Sequence, residues 1–173
     1  RELCPKLGIA IPVGKDSMSM RAVWDDDEGH HEVVAPVSLI VSAFAPIDDV
    51  RPTLTPELDT SSASSLVLID FGAGRNRLGA SALAQVYDSV GAVPADLDDP
   101  SKLVRFVDAL ATLRGAGLVR AYHDRSDGGL ATTLAEMAFA SRCGIEADTS
   151  SLGNDPLAAL FAEELGVVLQ FAD

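Results

Sequence analysis

Basic residues are scarce: 13 Lys and Arg stand against 26 Asp and Glu, for a formal net charge of -13. A nucleic-acid surface needs clustered positive charge, so that class of partner is excluded. Any phosphate ligand would have to be met by metal ions or backbone amides, against the field of the chain as a whole. Cysteine is nearly absent. Cys4 and Cys143 lie far apart and in no CxxC or metal spacing, and they read as two reduced thiols of a cytosolic protein. Aromatics make up only 5% of the residues, which leaves the core to Leu, Val, Ala and Ile. Long apolar runs are missing as well: the longest are strand-sized, so none spans a membrane, and no signal-peptide pattern is present. The first residues, "RELCPKLG", hold no initiator Met and read like the last turns of a helix, hence like a piece of something longer.

What is there is organised in two stretches. At 173 residues the chain has the size of one domain, or of one domain plus part of another. "GIAIPVGKDSMSM" alternates and then turns polar, as a strand running into a loop or a second strand would. "DDDEGHHE" (25–32) is a charge cluster around one Gly, and "VVAPVSLIVSAFAPI" (33–47) is strand-like, with Pro36 at an edge or bend. Residues 48–64 are rich in Pro, Ser, Asp and Thr and read as a linker or surface loop. Beyond them, "LVLIDFGAG" (66–74) is a buried strand entering a glycine loop, and a helix starts within 78–91. Leu103, Phe106, Val107, Leu110 and Leu113 carry helical spacing that Gly115 or Gly117 ends. "LVRAYH" (118–123) predicts a strand, Gly129–Ser141 a helix with Leu130, Leu134, Met137 and Ala138 on one face, 155–163 a short helix, and "GVVLQF" a last strand. The fold class expected is therefore α+β or α/β and layered: a mixed sheet flanked by helices over 65–173, preceded by a strand-rich part over 1–47.

The most chemically loaded stretch is "HDRSDGGL" (123–130), set between a strand and a helix. Open sheets bind ligands at strand carboxyl ends, and a helix start offers amides and partial positive charge to a phosphate. Asp124 has the hard oxygens that a Mg²⁺ carrying phosphate would take, Ser126 adds a hydroxyl, and Gly128 and Gly129 let a ligand approach the backbone. The alternative is plainer: Asp127 caps the helix while Asp124 and Arg125 are solvated. Local physics leaves the two open.

Other motifs are weaker. "VGKDS" (13–17) fails as a Walker A loop because Gly8 stands one position too early and Asp16 separates Lys15 from Ser17. Lys15, Asp16 and Ser17 still form a cluster that would suit a phosphorylated ligand, with a paired surface Lys and Asp as the plainer reading. "FGAGRNRLGAS" (71–81) has Arg77 where a dinucleotide fingerprint needs Gly. Gly72 and Gly74 shape a loop that would hold an anion, helped by Arg75 and Arg77, or merely join a strand to a helix. His30 and His31 are adjacent on a strand and face opposite ways, so they would not share one ion, and a solvated hairpin tip is the better reading. Glu163 and Glu164 read as a solvated helix end rather than a catalytic pair.

Taken together, "GIAIPVGKDSMSM", "APVSLIVSAFAPIDDVRPTLTPEL", "RLGASALAQVY", "AYHDRSDGGLATTLAEMAFA" and "LFAEELGVVLQ" resemble the phosphoribosylformylglycinamidine synthase family, in its long single-chain bacterial type, from about residue 4 to 170. The resemblance implies an ATP-dependent C–N ligase of purine biosynthesis, cytoplasmic, that makes formylglycinamidine ribonucleotide from formylglycinamide ribonucleotide, ATP and glutamine-derived ammonia. ATP would phosphorylate the formyl amide oxygen, and ammonia would then displace phosphate. The family's synthetase region has two halves that each resemble aminoimidazole ribonucleotide synthetase. The present chain resembles part of the second: the end of its first subdomain (1–47), a linker (48–64) and most of its second (65–173).

The resemblance places a Mg²⁺ ligand at Asp124 and an ATP or ADP contact at Ser126. It places the remaining metal ligands, the glutaminase and the residues assisting chemistry outside this sequence, so no residue here is expected to be catalytic and the isolated chain is expected to be inactive. A different class of function, a structural module that holds ADP and Mg²⁺ without turnover, fits the same motif. A third reading is another synthetase of the superfamily.

Overall fold

In a computed structural model the chain is described over residues 3–14, 20–35 and 39–172, and it divides into two compact units, Arg1–Arg51 and Pro52–Asp173. The described part of the first unit holds a short helix α1 (Leu3–Leu7) and a hairpin of β1 (Met20–Asp26) and β2 (Gly29–Ala35). Asp27 and Glu28 make the turn, and Gly29 closes it at φ +124°, a backbone region that L side chains rarely adopt. The charge cluster is therefore a hairpin tip. His30 Nδ1 lies 2.7 Å from Asp25, while His31 Nε2 lies 2.8 Å from Asp26 and the His31 ring stacks on Trp24 at 5.1 Å. The two histidines serve different acids on opposite faces, as strand geometry requires.

The strand-like stretch 33–47, too long for one flat strand, is strand only in its first residues. β2 ends at Ala35, and 39–47 carries no regular structure, with Leu39, Ile40 and Phe44 almost wholly exposed. Strand propensity alone gives such a segment no partner for its amides and carbonyls, and none pairs with it among the described residues.

In the second unit β3 (Ser64–Asp70), β4 (Val119–Arg125) and β5 (Gly166–Ala172) form a three-stranded sheet in the order β3-β5-β4. Alternating strands and helices in the sequence suggest parallel or mixed pairing, but both ladders are antiparallel. The reason is that the last strand enters between the other two. β3 and β4 therefore run in the same direction without touching, and both end beside Gly166. α3 (Pro100–Gly115) covers one face, where Phe106, Leu110 and Leu113 pack with Val119, Val167 and Leu169. α4 (Gly129–Ser141) covers the other, where Leu130 and Met137 pack with Ala121 and Val168. The fold is α+β and layered.

Alternation along β5 sends Val167 and Leu169 to the α3 face and Val168 to the α4 face, which is why the strand reads as one continuous apolar run. On β4 a bulge between Val119 and Ala121 breaks that rule, so these two residues fill opposite layers although they are two apart.

Helix starts follow local chemistry. Asp99 caps α3 through the Ser101 amide at 3.0 Å, with Pro100 next. Asp155 caps α5 (Pro156–Phe161) in the same way, accepting from Leu157 and Ala158. The helix expected within 78–91 is only α2 (Ala82–Val86), because 78–81 are used in a turn, with Ala80 N donating to Val90 O at 2.6 Å. The Pro- and Ser-rich stretch is tied down from residue 54 onward. Leu54 and Leu58 enter the two core layers, and buried Gln170 accepts from Asp59 N while donating to Asp59 O and Ser64 Oγ, each at 2.8 Å.

Candidate functional site

The sheet edge where β3 and β4 end and β5 begins gathers most of the charged side chains of the second unit that are buried. Arg125 ends β4, opposite Gly166, and its guanidinium reaches across that strand to Asp70 at the end of β3. The crossing needs a glycine: a Cβ at Gly166 would stand 2.7 Å from Ile69 O and 3.2 Å from Arg125 Nη2. Arg125 Nε also donates to Glu164 O at 2.5 Å, and Nη2 to Leu165 O at 3.2 Å.

The Glu164 carboxylate is fully buried. It takes both Nε and Nη2 of Arg77 at 2.7 Å and the Arg77 amide at 2.9 Å. Arg77 is held further by Asp98, which also pairs with Arg75 at 2.8 Å. Glu163 turns the other way, and one oxygen accepts from Gly128 N and from Ala82 N, each at 2.8 Å. Glu163 and Glu164 are thus not a solvated helix end. Their position immediately before a strand buried on both faces is the sequence signal that pointed inward, with Arg77 as the counter-charge that Glu164 takes.

This edge answers the anion-binding expectations with the chain's own acids. Gly72 N and Gly74 N donate to Asp70, at 3.2 and 2.8 Å. Gly72 also has no room for a side chain, since a Cβ would meet the Glu164 carboxyl carbon at 2.6 Å. Gly128 is the N-cap of α4 with no side-chain cap, so Asp127 does not cap the helix, and the Gly128 amide goes to Glu163. The Gly129 amide goes to Ser126 O at 2.9 Å. The open amides expected at Gly72, Gly74, Gly128 and Gly129 are therefore already engaged.

Burial alone would raise the Asp70 carboxyl. The Gly74 amide, the Arg125 guanidinium and the Gly72 amide outweigh it and hold the group below the usual carboxylate value. The stability that Asp70 contributes is then present above the ordinary carboxylate range and lost as pH falls through the depressed folded value. Asp70→Asn is expected to lower stability near neutrality and to flatten its fall at acid pH; urea midpoints at about pH 6 and pH 3 check this.

Asp124 lies one residue before Arg125 and on the other face, in register with Val167 of the α3 layer. Its side chain is exposed. Among the described residues its carboxylate meets hydroxyls, Ser126 Oγ at 3.4 Å and the Tyr122 phenol, and no cation. Burial, then the charge of Asp124 and the hydrogen bond to it, push the Tyr122 phenol up to about 12. Thr133 Oγ1 donates to Asp124 O at 3.3 Å and to Gly129 O at 3.0 Å, fastening the end of β4 to the first turn of α4.

Asp124 and Ser126 are thus brought together, whereas Gly72 and Gly74 belong to the neighbouring loop. Lys15, Asp16 and Ser17 lie outside the described residues. Asp124 lines neither of two clefts of the second unit. One, of about 790 Å³, lies among β3, α4 and residues 143–152, and the other, of about 370 Å³, lies beside Tyr87 and Val93. No group of three or more Asp, Glu, His or Cys side chains is placed to hold a metal among the described residues.

Gly129 tests how tightly this corner is built. It sits at φ +66°, and a Cβ would come within 2.7–2.8 Å of Leu160 O, Ala162 O and Phe161 C, all backbone atoms. Gly129→Ala is expected to cost about 1–3 kcal/mol by overpacking, with left-handed strain added, and to appear as a lowered Tm.

Residues 66–173 match the family model of AIR synthase related protein, C-terminal domain, and the chain belongs to that family. Residues 1–46 match the FGAR-AT PurM_N-like domain. Both matches point to the synthetases of purine biosynthesis, and together, in this order, they fit a fragment of phosphoribosylformylglycinamidine synthase. No helix among the described residues is long and apolar enough to cross a membrane.

Proposed function

We propose that this chain supplies one Mg-nucleotide site of a cytoplasmic phosphoribosylformylglycinamidine synthase. In that role it would serve the ATP- and glutamine-dependent conversion of formylglycinamide ribonucleotide to formylglycinamidine ribonucleotide. The observation that carries the reading is Asp124: an exposed carboxylate at the carboxyl end of β4, paired with no cation among the described residues and with Ser126 Oγ turned toward it at 3.4 Å.

Hard carboxylate and hydroxyl oxygens fit Mg²⁺, which takes one or two protein carboxylates and completes its shell with phosphate and water. Asp124 would hold the ion and Ser126 the nucleotide, and the ion would neutralise phosphate charge during transfer. The remaining ligands would come from elsewhere in the parent synthetase. Gly128 and Gly129 take a shaping role, with their amides engaged by Glu163 and Ser126. Lys15, Asp16 and Ser17 stay candidates for a cleft facing substrate or nucleotide. Mass spectrometry of nucleotide released from the purified parent synthetase, with Asp124 intact and replaced, tests the reading.

A further inference from the structure

We infer that Glu163 is a positioning residue of this site: beside the Arg125–Asp70 pair, which joins the ends of β4 and β3, its carboxylate sets where the Asp124–Ser126 turn stands relative to the far end of the glycine loop after β3. The inference rests on the nucleotide role proposed for Asp124 and Ser126, and it names a residue that holds their geometry.

α4 starts without a side-chain cap, at a glycine in the left-handed region, φ +80°. A helix start leaves amides unpaired and carries partial positive charge, so an acid placed there is favoured. The acid comes from 35 residues further along the chain: Glu163 Oε1 accepts from Gly128 N at 2.8 Å. The same oxygen accepts from Ala82 N at 2.8 Å, at the start of α2. One atom thus joins the end of the glycine loop to the end of the Asp124–Ser126 turn. From Gly128 the chain returns through Gly129 N to Ser126 O at 2.9 Å, so Ser126 stands two short links from the Glu163 carboxylate.

The anchoring of Glu163 is firm because its neighbours are buried. Glu164 is locked to Arg77, Ala162 is fully buried, and Glu164 O and Leu165 O receive Arg125. The consecutive glutamates therefore hold different groups: Glu164 takes Arg77, and Glu163 takes the Gly128 and Ala82 amides. Glu163 fixes the position of two backbones and touches neither Asp124 nor Ser126, so it acts on the ligand only through them.

The test uses the parent synthetase carrying E163A, E163Q, E163D or D124A. Nucleotide dissociation constants are measured with MgADP, and amide hydrogen exchange is measured on the nucleotide-free protein. E163A should speed exchange in peptides covering 80–84 and 126–131 and weaken MgADP by about 10–100-fold, the range typical of residues that orient a metal ligand. E163Q keeps an acceptor oxygen at the same reach and should bind within about threefold of wild type. E163D keeps the charge but loses the reach, and should follow E163A.

Wild-type affinity in E163A and E163D, with D124A impaired, would overturn the inference and leave the proposed function standing. Unchanged affinity in D124A as well would overturn both. Should E163A not fold, E163Q and E163D carry the comparison alone: loss in Gln with retention in Asp would show that charge matters rather than position, and would also overturn it.

Discussion

Asp124→Ala in the parent synthetase is expected to strip the Mg-nucleotide proposed for this site. The carboxylate is exposed, meets hydroxyls rather than cations among the described residues, and stands at a strand end. Removing it leaves the packing of the α3 layer intact, so the loss should be one of ligand and not of fold. The weakening should be at least the roughly 10–100-fold that follows when only an orienting partner of a ligand is lost. Nucleotide content after desalting, read by mass spectrometry, gives the answer, and a content equal to wild type would count against the proposed role. The same samples separate a catalytic from a structural nucleotide. A catalytic one exchanges with labelled ATP and is hydrolysed, whereas a structural ADP co-purifies and stays. Ser126→Ala is expected to weaken retention less, since a hydroxyl contributes one neutral hydrogen bond, about 0.5–1.5 kcal/mol.

The largest loss of stability is expected from Glu164→Ala. Glu164 is fully buried, and Arg77 is nearly so, at 10% side-chain exposure. The Glu164 carboxylate accepts from two guanidinium nitrogens, Nε and Nη2, and from the Arg77 amide. Truncating one partner leaves the other charge buried with part of its shell missing, at a cost of about 3–5 kcal/mol. For a chain of this size that corresponds to a fall in Tm on the order of 10 °C. Replacing both together, R77M with E164L, should cost less than E164A alone, because no orphaned charge remains. Thermal and urea unfolding of the single and double variants measure the coupling, and strict additivity would show the pair to be independent.

How much of this was legible depended on the range of the cause. α3, α4, β4 and β5 were readable because helical or strand spacing is written within each segment. The hairpin tip was readable from Gly29 among charges. The order of strands was not, since nothing inside β5 says that it enters between β3 and β4. The segment 39–47 misled because Val, Ile and Ala describe a strand that could form and not one that has a partner. At the candidate site Asp124 and Ser126 stand 3.4 Å apart, while the glycine amides expected to be open are taken, for one physical reason. An amide-rich loop attracts any nearby anion, and here Asp70 and Glu163 had arrived first. Glu163 was hidden because its partners lie 35 and 81 residues away along the chain.

The central place of β5 has a consequence for synthesis on the ribosome. Among the described residues β3 and β4 bond only to β5, so neither has its sheet neighbour here until Gly166–Ala172 has been translated and has left the exit tunnel. Ser64 must wait for Ala172, a pairing across more than a hundred residues, and such distant closures are slow. During that interval Leu66, Val67 and Leu68 lack their β5 partners, and an unpaired apolar strand of this kind is exposed to aggregation.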